Sequence, residues 1–365
     1  MTRLFLCGDV MTGRGIDQAC ATSCDPYLHE PWVRDAREYV ELAEQRNGPV
    51  PTPIEPAYVW GVARDEIERR VPDARIVNLE TSITQSSDFW PTKDIHYRMH
   101  PDNVRCLTTA HIDCAVLANN HVLDLGYAGL DETLGTLDMA GIEHAGAGAS
   151  ERDAMAPAII ELGPDARVLV FALGDASSGI PASWRAHADR AGVNLIDDLS
   201  RETARYIAVE IAAARRRGDV VVASIHWGSN WGYGVDSAQR EFAQELIKSG
   251  VVDIVHGHSS HHAKAIEVFR GRPIFYGCGD LINDYEGVAG YEEYRGDLAL
   301  LYFVDIEPDT GVRAIDLVPL RRERLSLSHA SAEDAAWLAA MLDGDSRGFN
   351  TRASLAADKS IKISW

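Results

Sequence analysis

An α/β fold is expected, because short apolar, β-rich runs alternate with amphipathic stretches of helical period and several runs end in polar residues. At 365 residues the chain is long enough for one large domain or two ordinary ones. Residues 3–7, 75–79, 113–118, 167–173, 220–225 and 253–255 read as buried strands. Helices are expected at about 35–45, 57–70, 127–140, 200–217 and 237–249, with Ser200 and Ser237 as N-caps of the last two. The run Arg215-Arg216-Arg217 before Gly218 suits a helix C-terminus, where cations complement the dipole. After residue 263 the rhythm changes to strands at 265–269, 272–276, 298–305 and 312–320 joined by short Gly or Pro turns, which reads as a meander. Neither a repeat nor a low-complexity linker interrupts residues 1–323, which are treated as one domain of mixed sheets covered by helices. Residues 324–365 are expected to add a helix near 331–343 and a short tail packed on that domain.

Composition narrows the function classes. Hydrophobic residues at 46% and charged residues at 25% are those of an ordinary globular protein. The net charge of −20 repels phosphate backbones and anionic lipid, so nucleic acid and membrane are not expected partners. The sequence contains no apolar stretch of about 18 residues and no signal-peptide pattern, and a cytoplasmic location is expected. The six cysteines are read as reduced; Cys20 and Cys24 have no second Cys/His pair at zinc-site spacing.

Five strand ends carry residues that a core would not use: Leu6-Cys7-Gly8-Asp9, Asn78-Leu79-Glu80, Asn119-Asn120-His121, Ile225-His226 and Gly257-His258-Ser259-Ser260-His261-His262. Ligands of open α/β sheets bind beyond the carboxyl ends of strands, so these groups are expected to converge on one crevice. Carboxylate, amide oxygen and imidazole together suit a divalent cation, with oxygen favouring Ca, Mg or Mn and imidazole favouring Zn or Fe. An organic cofactor is not expected.

The blocks Gly8-Asp9-Val10-Met11, Asn78-Leu79-Glu80, Leu117-Ala118-Asn119-Asn120-His121 with Asp124 and Gly126, His226-Trp227-Gly228, Gly257-His258-Ser259-Ser260-His261 and Arg272-Pro273-Ile274-Phe275-Tyr276 resemble the CapA family over residues 1–305. That family is named for poly-γ-glutamate and capsule synthesis, and the resemblance implies a calcineurin-like metallophosphatase sandwich. It also implies that Asp9, Glu80, Asn120, His226, His258 and His261 hold metal and that His121 does acid–base work. The chain departs from the metallophosphatase pattern in three places, which argues against a full two-metal site. Met11 replaces the His of the first motif, Glu80 stands where a bridging Asp is usual, and the closing His residues are three apart.

The segments from Trp227 to Tyr233 and from Tyr276 to Asp280 resemble CapA-type lasso-peptide epimerases, which implies inversion at the Cα of a C-terminal residue, Trp, of a precursor peptide. Such a reaction needs a base on one face, a donor on the other and stabilisation of the enolate. His121 with Asp124 is expected to serve one face, and a His of the 258–261 loop, His258 in the first instance, oriented by Asp9 or Asp280, the other. Arg98, Trp227, Trp231, Tyr233 and Asp280 are the expected substrate contacts. Two other classes compete with the epimerase: a metal-dependent hydrolase of phosphoester or peptide-like bonds, and a CapA-type protein of polymer synthesis. The sequence leaves the oligomeric state open.

Overall fold

The computed structural model describes all residues except Thr92 and Asp165. The chain is a mixed α/β protein whose two large sheets are flanked by helices. In the first sheet, Thr2–Val10 lies between Ala74–Leu79, to which it runs parallel, and Leu298–Glu307, to which it runs antiparallel. Cys114–Val116 and Glu143–Ala145 extend the parallel side. In the second sheet, Ala166–Gly174, Val220–His226 and Ile254–His258 run parallel, and Ala158–Gly163 adds an antiparallel edge.

Alternation along the second sheet explains how the layers pack. Val168, Val170, Val220, Val222 and Ile254 share a core with Phe5, Val77 and Tyr302 of the first sheet. The residues between them, Leu169, Phe171, Val221, Ala223 and Ile225, pack under helices Arg201–Ala214 and Ser237–Lys248. Both faces are covered, so these strands read as continuous apolar runs.

Several boundaries differ from expectation for local reasons. The helix expected at 57–70 is broken into a 3-10 turn, Tyr58–Trp60, and Val62–Arg70, because Gly61 takes φ +45 where a Cβ would meet the Leu327 carbonyl oxygen at 1.9 Å. Ser200 caps its helix through Thr203 N–H, but the second N-cap is Asp236, not Ser237. Helix Arg201–Ala214 stops before the arginine run. Arg215 is its C-cap, at the helix C-terminus as expected, and its guanidinium reaches Asp253 at 3.1 Å and the Gly250 carbonyl at 2.8 Å.

The expected meander is two hairpins in different sheets. Ile266–Phe269 and Arg272–Phe275 close the second sheet, whereas Leu298–Glu307 and Gly311–Glu323 belong to the first. Between them Asp280–Ile282 pairs with Thr2–Val10, carrying the chain from one sheet to the other. The C-terminal segment likewise holds more than helix Ala332–Ser346: Ser326–His329 pairs with Gly311–Glu323, and the hairpin Arg352–Leu355 with Ile361–Ser364 widens the first sheet.

Candidate metal centre

Strand register assembles the site. Asp9 faces Asn78 on one neighbour and Asp280 on the other, and His226 faces His258 across the parallel pair of the second sheet. Register shifts on both sides of Thr2–Val10 near Asp9, a bulge of the kind that re-aims a side chain beside a site. Gly8 permits this, since a Cβ there would meet the Gly279 carbonyl oxygen at 1.8 Å.

Among the described residues, two groups of side chains offer donor atoms all within 4.8 Å of one another, Asp9–His226–His258 and Asp9–His261–Asp280, and Asp9 belongs to both. Glu80 adjoins the first, 3.9 Å from His226 Nε2, and Asn120 Oδ1 lies 3.1 Å from the same nitrogen. Met11 is buried but adds no donor; Asp280 of the opposing strand enters the second group instead.

The donor set fits a cation. Asp9 Oδ1 accepts from Asn78 Nδ2 at 2.7 Å, whereas Oδ2 is buried without a hydrogen-bond partner. Burial, then the Asp280 charge, pushes the Asp9 carboxyl up to about 8, and burial with Asp9 and Asp280 raises Glu80 well above its usual range. Imidazole tautomers complete the picture. His256 Nε2 meets the Cys7 carbonyl at 2.8 Å and must donate there, so its Nδ1 accepts from Ser224 Oγ at 3.0 Å. Ser224 then has only lone pairs for His258 Nε2, 2.9 Å away, and this leaves His258 Nδ1 bare, 3.9 Å from Asp9 and 2.8 Å from His226 Nδ1. Outer partners that fix a ligand's tautomer are a regular feature of metal sites. Ser259, next in the chain, sits at φ +100, a strained backbone beside the donors.

His121 stands apart from the donor groups. Its Nδ1 bonds Asp124 Oδ2 at 2.6 Å, its ring stacks on Tyr97 at 3.8 Å, and its Nε2 faces Glu80 at 3.9 Å. Burial pushes this imidazole down to about 3 against the pull of Asp124, while His121 and Lys93 hold Asp124 below its usual range despite burial. The ring is therefore neutral, donates through Nδ1 and keeps an Nε2 lone pair toward the site. Lys93 lies 2.5 Å from Asp124 Oδ1 and bonds the Asn120 carbonyl. His261 is the opposite case: burial lowers it, but Asp280 at 3.0 Å outweighs this and raises it.

The other expected contacts are divided. Arg98 is turned away, its guanidinium held by the carbonyls of Ser86 and Asp25. Trp227 is core, packed by Phe242 with Nε1 on the Tyr276 carbonyl, because it points back between sheet and helices. His258, with Nε2 on Ser224, Nδ1 toward His226 and no exposure, has no nitrogen left to meet a substrate face as a base. Trp231 lies 5.2 Å from the His261 ring, and Tyr233 sits against His262 at 4.6 Å, one residue further out. Lys93, Ser224 and His256 join the site beyond the expected residues, and Asn78 and Asn119 support it, Asn119 Nδ2 donating to Asn78 Oδ1 at 3.1 Å and to the Leu79 carbonyl at 2.8 Å. Asn78 and Asn119 carried a sequence signal, since they stand in the strand-end blocks, and His256 lies on the strand that runs into the His-rich loop; Lys93 and Ser224 are ordinary residues that fold geometry makes important.

Residues 3–285 match the family described as bacterial capsule synthesis protein PGA_cap. The chain belongs to this family. Similar members include a probable polyglutamine synthesis accessory protein of Mycobacterium tuberculosis, 43% identical over 99% of this chain and 95% of that one. The PGA biosynthesis protein CapA of Bacillus subtilis is 27% identical over 59% and 54%, and the capsule biosynthesis protein CapA of Bacillus anthracis 23% over 62% and 52%. No helix among the described residues is long and apolar enough to cross a membrane.

The carboxyl shifts make a prediction for this PGA_cap chain. Asp9 is raised to about 8, so in metal-free protein its contribution to stability is complete below about pH 4 and is lost as pH rises through 8. A bound cation removes that loss. The melting temperature of metal-loaded protein should therefore exceed that of chelated protein by more at pH 8 than at pH 5, as read by scanning fluorimetry. An equal gap at both pH values would place the cation elsewhere.

Proposed function

We propose that the protein is a metal-dependent enzyme of glutamyl-polymer synthesis, acting on the amide backbone of the chain. The polymer class is suggested by the relatives, one named for polyglutamine synthesis and others for PGA and capsule biosynthesis. The observation that carries the chemistry is the orphaned Asp9 Oδ2 beside the bare His258 Nδ1, with the neutral, Asp124-oriented His121 facing the same space. A divalent cation held by Asp9, His226 and His258, with Glu80 and Asn120 adjoining, would supply positive charge against a carbonyl oxygen.

In this reading His121 Nε2 takes a proton from water as the water oxygen adds to the amide carbon. The C–N bond breaks, and the departing nitrogen takes the Nε2 proton of His261, which exchanges its 3.0 Å contact with Asn230 Nδ2 for the substrate while Asp280 on Nδ1 raises the ring's basicity. The second donor group thus carries a proton rather than a second cation. Lys93 balances the Asp124 charge and holds the Asn120–His121 turn.

One observation favours a second reading, inversion at a Cα. Amide hydrolysis can use one imidazole as base and then acid. Two separately oriented pairs exceed that need: His121–Asp124 follows a strand of the first sheet, while His261 comes from a loop of the second. Proton removal on one face and return on the other uses both. Incubating metal-loaded protein with a γ-linked oligoglutamate in deuterium oxide separates the readings. Shorter chains support hydrolysis; one deuterium gained at Cα without chain loss supports inversion; neither product from metal-loaded protein contradicts both.

A further inference from the structure

A cavity of about 500 Å³ opens from His261 and Asp280 and runs outward to Arg46 on helix Arg37–Asn47. Its size lies in the range of small-ligand sites. Trp231, Tyr285 and Tyr291 form an aromatic wall, with the Trp231 and Tyr291 rings stacked at 4.1 Å. Tyr291 is half-exposed, so the wall offers its outer surface to a ligand.

The charges lining this cavity are almost all committed. Arg295 is paired with Asp297 and Asp334 at 2.8 and 2.6 Å, Arg321 reaches the same two carboxylates, and Arg322 is spent on the carbonyls of Gly296 and Asp280. Glu286 accepts from Asn47 and from the N–H groups of Arg324 and Leu325 at 2.7 and 2.6 Å. Arg46 differs: it is exposed and makes no ion pair among the described residues, with the exposed Glu292 also lining the cavity. In a chain of net charge −20, a cation left free at the mouth of a cavity that ends on the candidate metal centre is set to receive an anion.

We propose that this cavity is a subsite for the part of the substrate chain leaving the metal centre. Arg46 receives a carboxylate of that segment through its planar fork, and the aromatic wall covers the methylene stem of the same residue. The ligand class is a carboxylate-bearing, glutamyl-type chain, which rests on the functional reading above. The subsite adds the residues that select acidic over neutral units.

Calorimetric titration of chelated protein tests this without requiring turnover. The probes are a short γ-linked oligoglutamate and the same oligomer with its free carboxylates amidated. Wild type should prefer the acidic oligomer by about three- to tenfold. Arg46→Gln should remove that preference by weakening the acidic oligomer alone, and Arg46→Glu should invert it, with melting temperatures unchanged for these exposed substitutions. No preference in wild type, or a preference that survives Arg46→Glu, overturns the subsite. Turnover is assayed separately on metal-loaded protein. Arg46-dependent binding without reaction would remove the catalytic reading and leave the subsite, while reaction without Arg46 dependence would do the reverse.

Discussion

Replacing His121 by Ala is expected to lower turnover by roughly a hundred- to ten-thousandfold while bound metal stays at the wild-type level. The imidazole reaches the site through Nε2 alone, since its Nδ1 is committed to Asp124 at 2.6 Å and its ring to Tyr97. It belongs to neither donor group, so its loss should spare the cation. Asp124→Asn should retain part of the activity, because an amide can still bond the ring but favours the wrong tautomer. Turnover measured beside elemental analysis checks both. A His121→Ala protein that loses its metal would mean that the imidazole is a ligand.

The second large effect is expected at His258. His258→Ala should weaken metal binding by more than about a hundredfold and remove activity with it, because a donor is deleted from a site built around a buried, partnerless carboxylate oxygen. Ser224→Ala is the informative companion. It touches no cation, yet it removes the hydroxyl that fixes the His256 and His258 tautomers, so metal affinity should fall by about ten- to a hundredfold. Unchanged affinity in Ser224→Ala would show that the hydrogen-bond relay from Cys7 does not orient the ligand.

How far the sequence could be read depended on whether a feature was local. Strand ends such as Gly8-Asp9 and Ile225-His226 announce themselves, because a polar residue closing an apolar run has few structural uses, and the packing of the two sheets places donor atoms of Asp9, His226 and His258 within 4.8 Å of one another. The alternation of strand and helix gave the α/β class, since buried parallel strands are apolar on both faces. Partition between sheets was not legible: the turns that join 266–269 to 272–275 and 298–307 to 311–323 look alike in sequence, and only the crossing at Asp280–Ile282 assigns them to different layers. Side-chain direction was hidden for the same reason. Trp227 directly follows a candidate ligand yet points into the helix-covered core, and Arg98 satisfies loop carbonyls. Lys93 lies 28 positions from His121 and meets it only because the loop folds over the site.

Returning a divalent metal stepwise to chelated protein probes whether a cation at Asp9, His226 and His258 serves the proposed base His121. Glutamyl-chain conversion and metal per chain are followed together. No conversion is expected at zero metal, with activity rising in proportion to about one bound equivalent and the same binding curve for His121→Ala without conversion. Full conversion by metal-free protein, or a wild-type metal-binding curve for His258→Ala, would contradict it.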